Sequence, residues 1–339
     1  MKSPFTITAL KTDKSRQKHL IKRVIFTDKK VYYRGKIGTY WYNFTEGLAY
    51  VALHRPTPKS CDYFRVKYGN EKRQFINICS RKDLKSEKKP ALVYVHGGGW
   101  ISGITNMRDT YVANWAEKGF FTASISYSYA PDKIYPAQLH EIFAALDLIY
   151  DKKDEYGIDT DRLVLAGESA GGYYIMMLAA FANDKNLFDR FNIKFRHKNE
   201  FSVKALVSHC GCFDLKNLID ESRLQSKFPD MKMMVPSYLG MKISDARAFL
   251  ETEDGYFSYP HISEGFPPAF IVWATRDYLR YEAFDFMEQY KKLNIPFEEF
   301  KADGIIGNHA WSIATIVEKG KICFEKAYDF VMKQIENQN

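Results

Sequence analysis

Short apolar runs alternate with longer stretches of helical spacing through most of the 339-residue chain. Runs that read as strands fall at 74–79, 91–95, 121–126, 162–166, 204–209, 270–274 and 297–301, and several are apolar throughout rather than every second residue. Continuous apolar runs suit strands covered on both faces, the condition of a parallel sheet between two helical layers. Between them, the spacing predicts helices over 107–117, 137–152, 170–183, 281–293 and 313–338. In the second of these, Leu139, Ile142, Phe143, Leu146 and Ile149 form one apolar stripe, as a helix packed on a sheet requires. Strand and helix in alternation predict an α/β fold, and the length suits one large domain with a smaller lid.

Composition narrows the picture. Residues 1–40 carry eleven Lys or Arg against Asp13 and Asp28, a balance of +9, while the whole chain carries +8, so the remainder sums to −1. The basic excess is local, and without a nucleic-acid-binding module beside it a solvated basic face is expected rather than a nucleic-acid partner. The five cysteines are odd in number and scattered, which suits a reducing compartment. Cys210-Gly211-Cys212 is too tight for the usual zinc or redox spacings and reads as strand end plus turn. No leader-like apolar region opens the sequence and no run of about 18 apolar residues occurs, so a cytoplasmic protein without stable membrane insertion is expected.

Chemistry is concentrated at three places. Gly167-Glu168-Ser169-Ala170-Gly171 lies where the apolar run Leu163-Val164-Leu165-Ala166 gives way to a helical pattern. Small residues on both sides of a serine at such a junction permit a sharp turn that lifts its hydroxyl above the sheet edge, which makes Ser169 the candidate nucleophile. A serine hydroxyl needs a base, and the base needs an acid to orient it; in strand–turn–helix sites the chain order is Ser, acid, His. Asp277 follows the apolar run 270–274, and His309 is the one histidine of the eight that lies beyond it. Upstream, His96-Gly97-Gly98-Gly99-Trp100 directly follows the predicted strand 91–95. Glycines there let backbone N–H groups converge on a developing oxyanion, so Gly98 and Gly99, with Ala170 after the nucleophile, are the candidate oxyanion hole. Gly97 would shape that loop and His96 would hydrogen-bond it.

Together these motifs resemble the hormone-sensitive-lipase-like branch of the α/β-hydrolases, mostly carboxylesterases. The resemblance runs from about Ala91 to Trp311 and includes Tyr127-Ser128-Tyr129-Ala130-Pro131-Asp132, Tyr135-Pro136-Ala137 and Gly157-Ile158-Asp159-Thr160-Asp161-Arg162. It implies an α/β-hydrolase fold, a mostly parallel central sheet flanked by helices, with Ser169, Asp277 and His309 as triad. It also implies a cap over the site, built from the basic N-terminal segment 1–60 and an insertion at 215–262, with the core in two parts at 61–214 and 263–339. Both cap segments are rich in large apolar residues, among them Phe44, Leu48, Met231, Met233, Met234, Tyr238 and Phe249. The reaction implied is hydrolysis of a small ester, short-chain or acetyl, through an acyl-enzyme, with no cofactor, no metal and a possible homodimer.

Three departures stand out. Glu168 replaces the family's usual Asp, Ser128 replaces a common Arg, and Trp311 follows His309 at an unusual spacing. The His-Gly-Gly-x-Trp pattern, with Trp100, also resembles kynurenine formamidases, which keeps an arylformamidase as a second reading. A non-catalytic ligand-binding relative, as in the plant gibberellin receptors, is a third.

Overall fold

The computed structural model describes residues 29–53, 55–84, 87–220, 222 and 230–336. Lys2, Lys11, Lys14, Arg16, Lys18, Lys22 and Arg23 of the basic segment lie outside the described residues. A long helix, α1 (Lys29–Leu53), precedes the strands β1 (Cys61–Lys67), β2 (Phe75–Arg81) and β3 (Lys89–Val95). Helix α2 (Asp109–Glu117), β4 (Phe121–Ser126), α3 (Ala137–Asp151), β5 (Ile158–Glu168), α4 (Ala170–Asn183), α5 (Asn186–Arg190) and β6 (Ala205–His209) follow. Among the described residues, four short helices then form an insertion: α6 (Leu215–Leu218), α7 (Met231–Leu239), α8 (Ile243–Leu250) and α9 (Glu253–Tyr256). The chain returns to the sheet with β7 (Ala269–Ala274), α10 (Arg280–Lys292), β8 (Phe297–Ala302) and α11 (Glu318–Glu336).

The strands make one sheet in the order β1-β2-β4-β3-β5-β6-β7-β8. From β4 to β8 every pairing is parallel, and β2 pairs antiparallel with both β1 and β4. This is the α/β-hydrolase fold. Alternate side chains of a strand serve opposite faces. Ala91, Val93 and Val95 of β3 join the core under α3, α4 and α10, while Leu92 and Tyr94 join the one under α2 and α11. Burial on both sides is why the central strands read as unbroken apolar runs.

Parallel register brings the strand ends to one edge. Val95 pairs with Gly167, Glu168 with His209, and His209 with Val272. The segments that leave β3, β5, β6 and β7 therefore emerge side by side at the carboxyl edge, where open α/β sheets place their ligands.

Several boundaries differ from those the sequence predicts. Strand β1 goes unpredicted because it is a half-exposed edge strand; Arg65 on it lies over the ring of Phe75 and donates to Asn77 Oδ1 at 2.9 Å. The helix predicted from 313 begins at Glu318, after a tight turn at Trp311–Ile313, and that predicted from 107 begins at Asp109. Strand β5 starts four residues earlier than 162 and ends two residues later than 166. Helix α1 shows weak apolar periodicity because Val31, Tyr32 and Tyr42 lie away from the face that carries Tyr33, Ile37, Tyr40, Trp41, Phe44 and Leu48, and because glycine, a weak helix former, occurs at 35, 38 and 47. The anchoring that Ser128 could not supply as an Arg is supplied otherwise: its N–H and hydroxyl donate to the buried Glu141 carboxylate at 2.6 and 2.8 Å.

Gly171 is fixed by close approach, since a Cβ there would lie 2.0 Å from the Val95 carbonyl oxygen. Gly171→Ala is expected to lower stability by about 1–3 kcal/mol in urea unfolding, the usual cost of overpacking.

Candidate active site

Ser169 sits between β5 and α4 with φ 54° and ψ −123°, a conformation that side-chain-bearing residues rarely adopt. Holding it there costs on the order of 1–3 kcal/mol, so neighbouring bonds must over-determine it. Its N–H donates to the His209 carbonyl at 3.0 Å, and its own carbonyl accepts from Cys212 N–H at 3.1 Å. The flanking glycines are small for a steric reason: a Cβ on Gly167 would lie 2.7 Å from the Gly171 carbonyl oxygen. The hydroxyl is thereby presented at the carboxyl edge of the sheet.

His309 and Asp277 meet it from the segments after β8 and β7. His309 Nε2 is 2.9 Å from Ser169 Oγ, and Nδ1 is 2.7 Å from Asp277 Oδ2. The other carboxylate oxygen accepts from Leu279 N–H at 3.0 Å. Burial acts to raise the Asp277 carboxyl, but the charge and hydrogen bond of His309, with the Leu279 and Cys210 donors, hold it below the usual range. For His309, burial acts to lower the imidazole, and the Asp277 carboxylate outweighs it, so the net direction is up. Three residues distant in the chain thus form one line of hydrogen bonds from carboxylate to hydroxyl.

The glycine loop after β3 lies beside the same serine. Gly98, Gly99 and Trp100 have φ of 120°, 58° and 63°. The Gly98 carbonyl accepts from Ile101 N–H, Ser102 N–H and Ser102 Oγ at 3.2, 3.0 and 2.8 Å, which fixes the peptide plane. Gly97 N–H is taken by Glu168 Oε1 at 2.8 Å. Among the described residues, the N–H groups of Gly98, Gly99 and Ala170 have no hydrogen-bond acceptor. Donors left open in this way suit an anionic oxygen.

Glu168 joins the elbow to the glycine loop. Besides Gly97 N–H, its buried carboxylate accepts from the Tyr94 hydroxyl and pairs with the buried Arg108 guanidinium. Neither Tyr94 nor Arg108 is marked by any motif; Arg108 lies just before α2 and gives no sign in sequence of a partner sixty residues away. His96 stacks on Tyr127 with ring centroids 4.4 Å apart, and its Nδ1 is 2.7 Å from the Gly97 carbonyl. Burial and the Arg108 charge push it down to about 3, so it stays neutral and braces the loop. Trp100 is fully buried and stacks on Tyr238 at 5.2 Å. Trp311, two residues past His309, is exposed.

Cys210 and Cys212 also enter the site. Cys212 Sγ is 3.8 Å from Ser169 Oγ. Cys210 lies against Asp277, and Cys210, Asp277 and His309 hold their potential ligand atoms within 4.8 Å of one another. Burial pushes the Cys210 thiol well up. A metal would require its thiolate, whereas the protonated form donates to Asp277, so the cluster suits hydrogen bonding better than ligation.

The inserted helices approach from above. A Cβ on Gly99 would meet Met234 Sδ at 2.2 Å, and one on Gly38 of α1 would meet Met233 Cε at 2.6 Å. Asn43 of α1 accepts from Gly103 N–H at 3.1 Å, just beyond the glycine loop. Met231, Met234, Tyr238, Leu239, Phe249 and Leu250 are buried, whereas Phe44 and Leu48, which composition assigns to an apolar cap, face solvent.

Comparison with known proteins agrees with this architecture. The family model BD-FAE matches residues 77–281. The probable carboxylic ester hydrolase LipM of Mycobacterium tuberculosis is 26% identical over 75% of this chain and 59% of its own. Hormone-sensitive lipase of Mus musculus is 38% identical over 29% of this chain and 13% of its own. The chain spans less than two thirds of the length of the first curated relatives it matches, from 36% to 61%. Esterase B of Lactobacillus rhamnosis, solved with a tributyrin phosphonate, superposes with a TM-score of 0.74 at 16% identity, over 92% of this chain and 98% of that one.

Because Arg108 and Glu168 are both withdrawn from solvent, removing one partner strands a buried charge. Arg108→Met is expected to lower stability by about 3–5 kcal/mol in urea unfolding.

Proposed function

The chain belongs to the BD-FAE family, and from that premise we propose that it is a serine hydrolase of carboxylic esters working through an acyl-enzyme. The observation that carries the reading is the unbroken path Asp277, His309, Ser169, with spacings of 2.7 and 2.9 Å. Ser169 Oγ attacks the ester carbonyl carbon while His309 Nε2 takes its proton. Asp277 holds Nδ1–H, fixes the tautomer and stabilises the imidazolium that forms. The N–H groups of Gly98, Gly99 and Ala170 bind the oxyanion, each worth on the order of 3 kcal/mol to the transition state. His309 then protonates the departing alcohol, and water, deprotonated by the same imidazole, cleaves the acyl-enzyme.

The inner face of the helix at 29–53, through Gly38 and Asn43, and the helices at 231–256 act as the cap, and Met234 against Gly99 limits the space beside the oxyanion hole. That limit, and the tributyrin phosphonate bound by esterase B, support short acyl chains.

Ser169→Ala is expected to reduce kcat for p-nitrophenyl acetate on the order of 10⁶-fold and to abolish fluorophosphonate labelling, with Tm unchanged. Retained turnover would overturn the assignment. A second expectation concerns pH. His309 must be neutral to accept the proton, so kcat/KM rises with pH through its midpoint, which the Asp277 carboxylate lifts. Asp277→Asn removes the lifting charge and leaves the lowering effect of burial. The acidic limb should move to lower pH, and kcat should fall on the order of 10⁴-fold.

A further inference from the structure

Helix α1 is built inside out for a helix on a globular protein. Among the described side chains of α1, Gly35, Gly38 and Tyr42 are the buried positions, and the two glycines let the helix lie directly on Ser237 and Met233 of α7. Six large apolar side chains point the other way. Tyr33, Ile37, Tyr40, Trp41, Phe44 and Leu48 fall on one continuous face at helical spacing, and each is 59–72% exposed. Most soluble domains do not leave a contiguous stripe of that kind in water.

The charge beside the stripe says what covers it. Lys29, Lys30 and Arg34 are exposed on the same helix, Lys36 pairs with Asp132 at 2.9 Å, and Glu46 is the one acidic residue from 29 to 53. The chain before it continues the pattern: residues 1–28 carry seven Lys or Arg against Asp13 and Asp28, a balance of +5. Aromatic and leucine side chains on one face with lysine and arginine around them are what an interfacial helix uses, the rings entering the headgroup layer and the cations meeting anionic lipid. A protein partner would need no such one-sided charge. Among the described residues no helix is long and apolar enough to cross a membrane, so the geometry is one of lying on the surface.

We propose that the outward face of α1, with Lys29, Lys30 and Arg34 beside it, docks on anionic lipid surfaces. The inner face of the same helix reaches the rim of the site through Asn43 and Gly103. Docking would therefore hold the Ser169 site beside the lipid–water boundary. The proposal does not rest on the chemistry at Ser169, and a Ser169→Ala chain should bind lipid like the wild type.

The test is co-sedimentation of the full chain with vesicles of phosphatidylglycerol and phosphatidylcholine in equal amounts, against vesicles of phosphatidylcholine alone. Binding to the anionic vesicles is expected to be at least about tenfold tighter and to weaken with added salt. The double variant Trp41→Ser, Phe44→Ser should lose about tenfold or more of that binding, with turnover of a water-soluble acetyl ester unchanged. In the unaltered chain, brominated anionic lipid should quench part of the tryptophan emission, a reading that does not depend on the variant folding. Equal sedimentation with both vesicle types, or absence of quenching, would overturn the proposal. So would a dimer in analytical ultracentrifugation that the double variant dissolves, because a second copy would then be the occupant.

Discussion

The Glu168 carboxylate is the constraint on which the rest of the site depends. It lies at the end of β5, one residue before the strained serine, and accepts from Gly97 N–H in the loop after β3. Parallel pairing alone brings Val95 beside Gly167, but it does not decide how the two segments continue past the sheet. A buried carboxylate is costly unless it is paired and hydrogen-bonded, and Arg108 and Tyr94 meet that need from the start of α2 and from β3. The same bonds lock the elbow against the glycine loop. Because Gly97 N–H is consumed in this way, Gly98 and Gly99 are the loop amides left open beside the serine.

Strain is tolerated here because other parts of the fold are rigid. The positive φ at Ser169 is opposed by backbone bonds to His209 and Cys212, both at the end of β6 or just beyond it. His209 is itself fixed, with Tyr111 Oη 2.9 Å from Nε2 and Ser312 Oγ 2.8 Å from Nδ1. Ser312 stands three residues beyond His309. One buried histidine thus couples the strand that supports the elbow to the loop that carries the third member of the hydrogen-bonded chain.

Much of this was legible in the sequence, for identifiable reasons. The central strands announce themselves because burial on both faces forces unbroken apolar runs, and the Gly-rich segments announce themselves because close backbone approach excludes a Cβ. Ser169, Asp277 and His309 could be aligned by chain order without coordinates. What stayed hidden depends on partners distant in the chain. Arg108 looks like an ordinary charged residue near a helix start, and only its burial against Glu168 gives it meaning. Cys210 looks like a strand terminus until Asp277 is seen beside it. Strand β1 and helix α1 give weak signals because each departs from its usual pattern, the first by lying at an exposed edge and the second by carrying apolar residues on both its buried and its exposed sides.

The three histidines near the carboxyl edge show how environment assigns chemistry to identical side chains. His96 and His209 are fully buried, and each is pushed down to about 3, burial being the first cause in both. His309 meets the same lowering influence, yet its net direction is upward because Asp277 faces Nδ1. A neutral imidazole held in the interior can brace a loop or a strand, but it has little tendency to take a proton. An imidazole whose protonated form is stabilised by a carboxylate, and whose other nitrogen points at a hydroxyl 2.9 Å away, has that tendency built into its position. The difference between a bracing imidazole and the proposed base therefore comes down to one carboxylate, delivered by the turn after β7, and to the register that sets that turn beside the elbow.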